Sequence, residues 1–165
     1  MNARVQACIG LGGNVGDVQI TLDAALAALA ALPATRVLRA SGYYVTPAWG
    51  GIEQPDFVNA AAVLDTALAP LDLLDGLLAI ECGAGRDRSR EVRWGPRTLD
   101  LDLLLYGDVV FDSPRLSLPH PRLHERAFAL LPLAEVAPEA AIPGVGRVRD
   151  ALLRVDASGL RPLAR

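Results

Sequence analysis

The hydrophobic positions of this chain change period several times, and each change predicts an element. Val5-Gln6-Ala7-Cys8-Ile9-Gly10-Leu11 alternates loosely and predicts a first strand that stops at the turn cluster Gly12-Gly13-Asn14. Asp17 is placed to cap a helix whose apolar face is Leu22, Ala25, Leu26, Leu29 and Leu32, with Pro33 ending it. Arg36–Thr46 is a run of β-formers closed by Pro47, and a loop leads from there to a further strand at Phe57–Leu64. Pro70 opens a helix over Leu71–Ile80, with Leu73, Leu74, Leu77 and Leu78 as its stripe. Gly83–Gly95 has no period and much charge, and reads as a long exposed loop. Thr98–Tyr106 alternates strictly at its start and predicts a strong strand. Gly107-Asp108 should then turn the chain so that Val109-Val110-Phe111 pairs back as a hairpin. Leu116–Leu123 is irregular, Arg126–Val136 is helical despite Pro132, and a short helix is expected near Arg147–Arg154.

The order β-α-β-β-α-β, then a hairpin strand and late helices, predicts a single α+β domain over residues 1–165. Its expected form is an antiparallel sheet with helices packed on it. A doubly wound parallel sheet fits less well, because no helix separates Arg36–Thr46 from Phe57–Leu64. No internal repeat or linker interrupts the chain.

Composition narrows the classes further. With 52% hydrophobic and 21% charged residues, a disordered tail or a fibre is excluded. Cys8 and Cys82 cannot make a disulfide framework and read as small core residues. No apolar run is long enough to span a bilayer, and nothing after Arg4 reads as a secretory signal. The expectation is a reduced, soluble, cytoplasmic protein with no membrane partner. A net charge of −3 argues against a nucleic-acid partner. All 16 basic residues are arginine, and eight of them fall between Arg86 and Arg126. The missing lysine excludes a phosphate loop ending in Gly-Lys-Ser/Thr and the protein-kinase motif set.

Asp100-Leu101-Asp102 carries the first chemical signal. On a strand, residues two apart share a face, about 6.5–7 Å apart along the backbone. Leu99, Leu101 and Leu103 then face a core while two carboxylates project together. Like charges so placed repel unless a cation lies between them, and hard oxygen ligands suit Mg²⁺. The bland alternative is an ordinary solvated strand face. Arg86, Arg88, Arg90, Arg93 and Arg97 just upstream favour the chemical reading, since guanidinium forks suit phosphate. A solvated loop or an RNA-binding patch remains the alternative for that run. Gly10-Leu11-Gly12-Gly13-Asn14-Val15-Gly16 is a weak dinucleotide fingerprint, with Val15 where the third glycine belongs, and a turn needing positive φ explains it as well. His120 and His124 are four apart, but Pro121 makes a helical metal pair doubtful. Phe57, Asn59, Trp49 and Phe128 could enclose and read a flat ring, although each alone is more often core.

Arg93-Trp94-Gly95-Pro96-Arg97-Thr98-Leu99-Asp100-Leu101-Asp102 resembles the signature of the 6-hydroxymethyl-7,8-dihydropterin pyrophosphokinase family. The similarity extends through Ile9–Asn14, Tyr43–Pro47, Gln54–Ala60, Leu118-Pro119-His120-Pro121, Arg126-Ala127-Phe128, Pro132-Leu133 and Ala137-Pro138. The resemblance implies a ferredoxin-like sandwich that transfers pyrophosphate from the co-substrate ATP to a pterin hydroxymethyl group in folate biosynthesis. It implies two Mg²⁺ ions on Asp100 and Asp102, with Arg86 and Arg97 catalytic. It assigns nucleotide contacts to Glu81, Arg88, Arg97, Leu103, Ser117, His120 and Arg126. Thr46, Pro47, Phe57, Asn59, Trp94 and Phe128 would form the pterin pocket. A monomer is expected, with no partner besides the two substrates. Gly13, where many members carry serine, and Pro121, often tyrosine, depart from the pattern. Residues 83–95 are expected to be mobile without ATP and to close over the site with it.

Overall fold

The computed structural model describes residues 3–48, 53–86 and 96–163. Strand β1 (Val5–Gly13) lies in the middle of the main sheet, antiparallel to both neighbours. On one side is β4 (Phe57–Thr66), with Val5 opposite Thr66 and Gly12 opposite Asn59. On the other is β5 (Asp100–Tyr106), with Gly10 opposite Asp102 and Gly12 opposite Asp100. Beyond β4 lie β2 (Thr35–Ala40) and β3 (Tyr44–Thr46), and β10 (Arg161–Pro162) pairs with β3. Helix α1 (Val18–Ala30) joins β1 to β2, and α2 (Pro70–Gly83) joins β4 to β5. Each of these connections skips one strand, and the skipped place is filled by a strand of the other unit. That interlocked topology is the expected ferredoxin-like α+β sandwich.

The two-residue period of the strands sorts their side chains between two cores. Ala7, Ile9 and Leu11 of β1, Ala60, Ala62 and Leu64 of β4, and Leu99, Leu101 and Leu103 meet Leu22, Ala25 and Leu29 of α1 with Leu73 and Leu77 of α2. On the opposite face Cys8, Ala61, Val63, Leu104 and Leu105 meet α3 (Ala127–Val136) and α4 (Val148–Leu152). From β1 and β5 the buried members of this second core are Cys8, Leu104 and Leu105, all at one end of the sheet, so the end that carries Asp100 and Asp102 is left for a cavity.

Local signals explain the helices. Asp17 caps α1 by accepting from the Ile20 N–H at 3.2 Å, and Pro70 occupies the first turn of α2, where its missing N–H costs nothing. Pro132 sits inside α3, as expected.

Five expectations need correction, the first being Cys82, which is exposed on α2 and not in the core where Cys8 lies. Gly12 and Gly13 do not turn the chain but continue β1, and the positive φ of this stretch belongs to Gly16, at 73°. They are glycines because of close approach: a Cβ on Gly13 would stand 2.6 Å from the Thr98 carbonyl oxygen. The run Arg36–Thr46 is two strands rather than one. Ser41 donates its N–H to the Ala61 carbonyl at 2.8 Å and accepts the Ala61 N–H on its hydroxyl at 2.9 Å, so a side chain replaces one rung and the strand breaks there. Val109–Phe111 does not pair back on β5. Instead β6 (Phe111–Asp112) pairs with β7 (Ser117–Leu118), because Ser113 and Leu116 close their own tight turn. Lastly β8 (Ala141–Ile142), β9 (Gly146–Arg147) and β10 are short strands that the hydrophobic pattern does not announce.

Because the Thr98 carbonyl is backbone and cannot swing away, Gly13→Ala should cost about 1–3 kcal/mol, the range for overpacking a filled site. Urea denaturation checks this, and a midpoint equal to that of the unsubstituted protein would contradict it.

Candidate active site

The site starts from the pleat of β5. Leu101 and Leu103 are 4% and 3% exposed beneath the sheet, so Asp100 and Asp102 must project from the other face, where both are half-buried. Opposite them on β1 stand Gly10 and Gly12, which offer no side chains. On the far side of Gly12 is Asn59 of β4. A Cβ on Gly12 would lie 2.7 Å from the Asn59 Oδ1, so glycine keeps this floor flat and leaves the amide in place.

A cavity of about 270 Å³ stands on that floor. Asn59 is buried, and its Nδ2 donates to the Thr46 hydroxyl at 3.1 Å, which fixes the amide. Phe57, at the start of β4, and Phe128, in the first turn of α3, line the same space. The Arg126 guanidinium stacks 5.5 Å from the centroid of the Phe128 ring. Arg97 and His120 complete the lining with Arg86. One guanidinium nitrogen of Arg86 donates to Asp100 Oδ1 at 2.9 Å and to Glu81 Oε2 at 2.8 Å. The same Glu81 oxygen accepts the Leu101 N–H at 2.7 Å.

A second cavity of about 440 Å³ runs beside β5, left open because β6 turns away. Leu74, Leu78, Leu101 and Leu103 give it an apolar wall, and Ser117 and Arg115 stand at its polar side. Asp102 and His120 line both cavities, so the two meet there.

The electrostatics at that junction are unusual. Burial pushes the Asp102 carboxyl up to about 7, with the Asp100 and Glu81 carboxylates adding to the rise and Arg126 and Arg86 opposing it. The His120 imidazole is driven down to about 4 by burial and then by Arg126, so it is neutral near pH 7. Its Nδ1 accepts the Arg122 N–H at 3.2 Å, which leaves the proton on Nε2. Carboxylate oxygens on an open face are the donor set a hard divalent cation takes, and such a cation needs only one or two of them when phosphate and water complete its shell. Asp100 and Asp102 fit that requirement. Among the described residues, no group of three or more His, Cys, Asp or Glu side chains forms a closed metal nest.

Most of the expected site residues converge. Thr46, Phe57, Asn59, Arg86, Arg97, Asp100, Asp102, His120, Arg126 and Phe128 line the first cavity, and Leu103 and Ser117 the second. Pro47 follows Thr46 but is exposed and lines neither. Glu81, 2% exposed, also lines neither, and sits where it holds Arg86 and the β5 backbone. Arg88, Arg90, Arg93, Trp94 and Trp49 lie outside the described residues, as do residues 87–95 of the segment 83–95 expected to close over the site. His124 does not join His120; it is exposed, with Nε2 3.7 Å from Glu125. Reading the glycine cluster as a turn missed Gly12, although Gly10 and Gly12 already carry the period of a strand face. Arg115 and Leu78 of the second cavity have no local signal.

Fold and site together define an α+β protein that holds a carboxylate pair and several arginines beside an aromatic pocket, the equipment for handling a polyphosphate. A family model for 7,8-dihydro-6-hydroxymethylpterin-pyrophosphokinase matches residues 8–138, and the chain belongs to that family. It is 45% identical over 155 residues to the 2-amino-4-hydroxy-6-hydroxymethyldihydropteridine pyrophosphokinase of Pseudomonas aeruginosa, covering 94% of each chain. With the protein of that name from Methylorubrum extorquens it shares 47% identity, covering 94% of this chain and 96% of the relative. Among solved structures, wild-type Plasmodium falciparum HPPK-DHPS with pterin and p-hydroxybenzoate aligns over 93% of this chain with a TM-score of 0.70 at 16% identity, a likeness of fold. This chain spans 43% of that longer one.

The raised Asp102 value sets a stability prediction. Without a cation the folded chain binds this proton up to about 7, whereas an ordinary aspartate releases it near 3.8. Stability from this group is therefore full below the lower value and is lost as the pH rises through the upper one. The melting temperature of the metal-free protein should fall across that window, and Asp102→Asn should flatten the slope. Mg²⁺ should recover stability most at the alkaline end. A slope of the same size in the asparagine variant would refute the assignment.

Proposed function

We propose that the chain transfers a pyrophosphoryl group from ATP to the hydroxymethyl oxygen of 6-hydroxymethyl-7,8-dihydropterin and releases AMP, in folate biosynthesis. One observation carries the residue assignments: an amide-and-aromatic pocket and an apolar slot meet at a carboxylate pair surrounded by arginines. The pterin ring is assigned to the first cavity. Phe57 and Phe128 supply apolar faces there, and the Asn59 amide, able to donate and accept, reads the ring edge. Thr46 holds that amide, and Pro47 contributes through the backbone beside it.

The adenosine is assigned to the slot along β5, against Leu103 with Ser117 and His120, so that the triphosphate passes Asp102 toward the pterin. His120, neutral at working pH, offers a hydrogen-bond donor at Nε2 without adding charge. Arg97 and Arg126 face the phosphates, and their guanidinium forks offset charge that shifts from the β-phosphorus toward AMP during transfer. Arg86 joins them, and Glu81 is assigned to holding Arg86 rather than to touching nucleotide. Arg88 and Trp94 belong to the proposal through the resemblance alone. Asp100 and Asp102 would hold two Mg²⁺ ions, whose charge would offset that of the phosphates during transfer. The pterin oxygen forms its new bond to the β-phosphorus as the bond to the α-bridging oxygen breaks, and the hydroxyl proton is released to solvent. A single-domain monomer acting on these two substrates is part of the proposal. No helix among the described residues is long and apolar enough to cross a membrane, and a cytoplasmic enzyme is part of the proposal.

The decisive measurement is incubation with ATP, Mg²⁺ and the reduced pterin alcohol, followed by identification of the nucleotide product. AMP is expected, and ADP would mean a different transfer. Asp102→Asn should lower turnover by orders of magnitude with the fold intact, since it removes the cation's ligand. Asn59→Ala should weaken pterin binding by about 1–3 kcal/mol, the cost of unpaired buried polar groups, and leave ATP binding nearly unchanged in calorimetry.

A further inference from the structure

The slot along β5 is bounded on one side by α2, through Leu74 and Leu78, and on the other by the turn of the β6–β7 hairpin, through Pro114, Arg115 and Leu116. The hairpin is a two-stranded sheet of its own, so no ladder of the main sheet fixes its distance from α2. Its tip is stiff. The Ser113 N–H donates to the Leu116 carbonyl at 2.9 Å, and the Leu116 N–H donates to the Ser113 hydroxyl at 3.1 Å, so these four residues move as one piece. From that tip the Arg115 guanidinium reaches α2 and donates through Nη2 to Asp75 Oδ1. One ion pair thus links the two sides of the slot. Asp75 follows Leu74 directly but lines neither cavity, whereas Arg115 does face the slot.

We propose that Asp75 is a positioning residue for the nucleotide, whose bond to Arg115 straps the hairpin to α2 and sets the width of the slot. The proposal rests on the assignment of the adenosine to that slot. Asp75 acts through Arg115 and not on the ligand. The strap is already closed with the slot empty, so it keeps the two sides at a binding distance before a nucleotide arrives. Without it the stiff tip samples wider positions, and the apparent affinity falls by the fraction of time the slot has the right width. The Asp75 and Arg115 side chains are 58% and 50% exposed, which limits the effect to that of a solvated pair and makes it sensitive to salt. The same exposure means that their substitution leaves the core intact.

Calorimetry with a non-hydrolysable ATP analogue and Mg²⁺ tests the strap. Asp75→Asn should weaken the analogue by about two- to fivefold, the range of an exposed ion pair, and leave the affinity for the pterin alcohol unchanged. Asp75→Arg alone should weaken it at least as much, and Asp75→Arg combined with Arg115→Asp should restore most of the loss, because the pair is rebuilt with its charges exchanged. Screening of the phosphates is common to all variants. The ratio between the unsubstituted protein and Asp75→Asn should nevertheless shrink toward one between about 0.1 M and about 1 M salt, as the screening length falls from about 10 Å to about 3 Å. A residue that merely packed would show neither the rescue nor the salt-dependent ratio. Equal affinities in the unsubstituted protein and Asp75→Asn would overturn the proposal. So would a loss in Arg115→Ala that Asp75→Asn does not share, since the arginine would then act on the nucleotide directly. If the unsubstituted protein does not bind the analogue at all, the nucleotide assignment itself fails and the strap falls with it.

Discussion

Strand β5 can serve the core and the chemistry at once because a pleated strand sends alternate side chains to opposite faces. Leu99, Leu101 and Leu103 bury against α1 and α2, which holds the strand in register with β1. The same register obliges Asp100 and Asp102 to stand together above the sheet. A slip by one residue would bury both carboxylates and expose the leucines, so the core protects the geometry of the site. The partner strand answers with Gly10 and Gly12, the two residues that put no atoms between the carboxylates and Asn59.

Charge of both signs is concentrated on this frame around the Asp100–Asp102 pair. Asp102 is pushed up by burial and by its neighbour Asp100, and Arg86 relieves Asp100 while being held by Glu81. A cation at the pair would offset the repulsion between Asp100 and Asp102. His120 is neutral at the junction of both cavities and adds no charge to that balance. The two helices α3 and α4 bury only part of the second face, and that incomplete cover gives the floor its access to solvent.

Much of this was legible in the chain. The spacing of Leu22, Ala25 and Leu29 behind Asp17 found α1, and Pro70 with its leucines found α2, because capping and amphipathic period are local properties. The strict alternation at Leu99–Leu103 placed the carboxylate pair on one face before any partner was known. The resemblance around Trp94–Asp102 then pointed to the family that the comparison confirms. What failed depended on contacts distant in sequence. Gly12 and Gly13 looked like a turn, since nothing local says that Thr98 and Asn59 approach them. The break at Ser41 depends on a rung shared with Ala61, and the hairpin at Val109 was lost to a competing turn at Ser113.

The sequence by itself determined the long helices α1 and α2, the two-faced strand and the residue types of the chemistry, because period, caps and charge clusters are written within a few neighbouring residues. Only the tertiary structure decided that Glu81 is a support beneath Arg86, that His124 stands apart from His120, and that Asn14 ties Arg97 to Gln54 and Pro55. Those are distances between residues up to eighty-three positions apart in the chain. No local pattern carries them, since they exist only once burial has brought the strands into register.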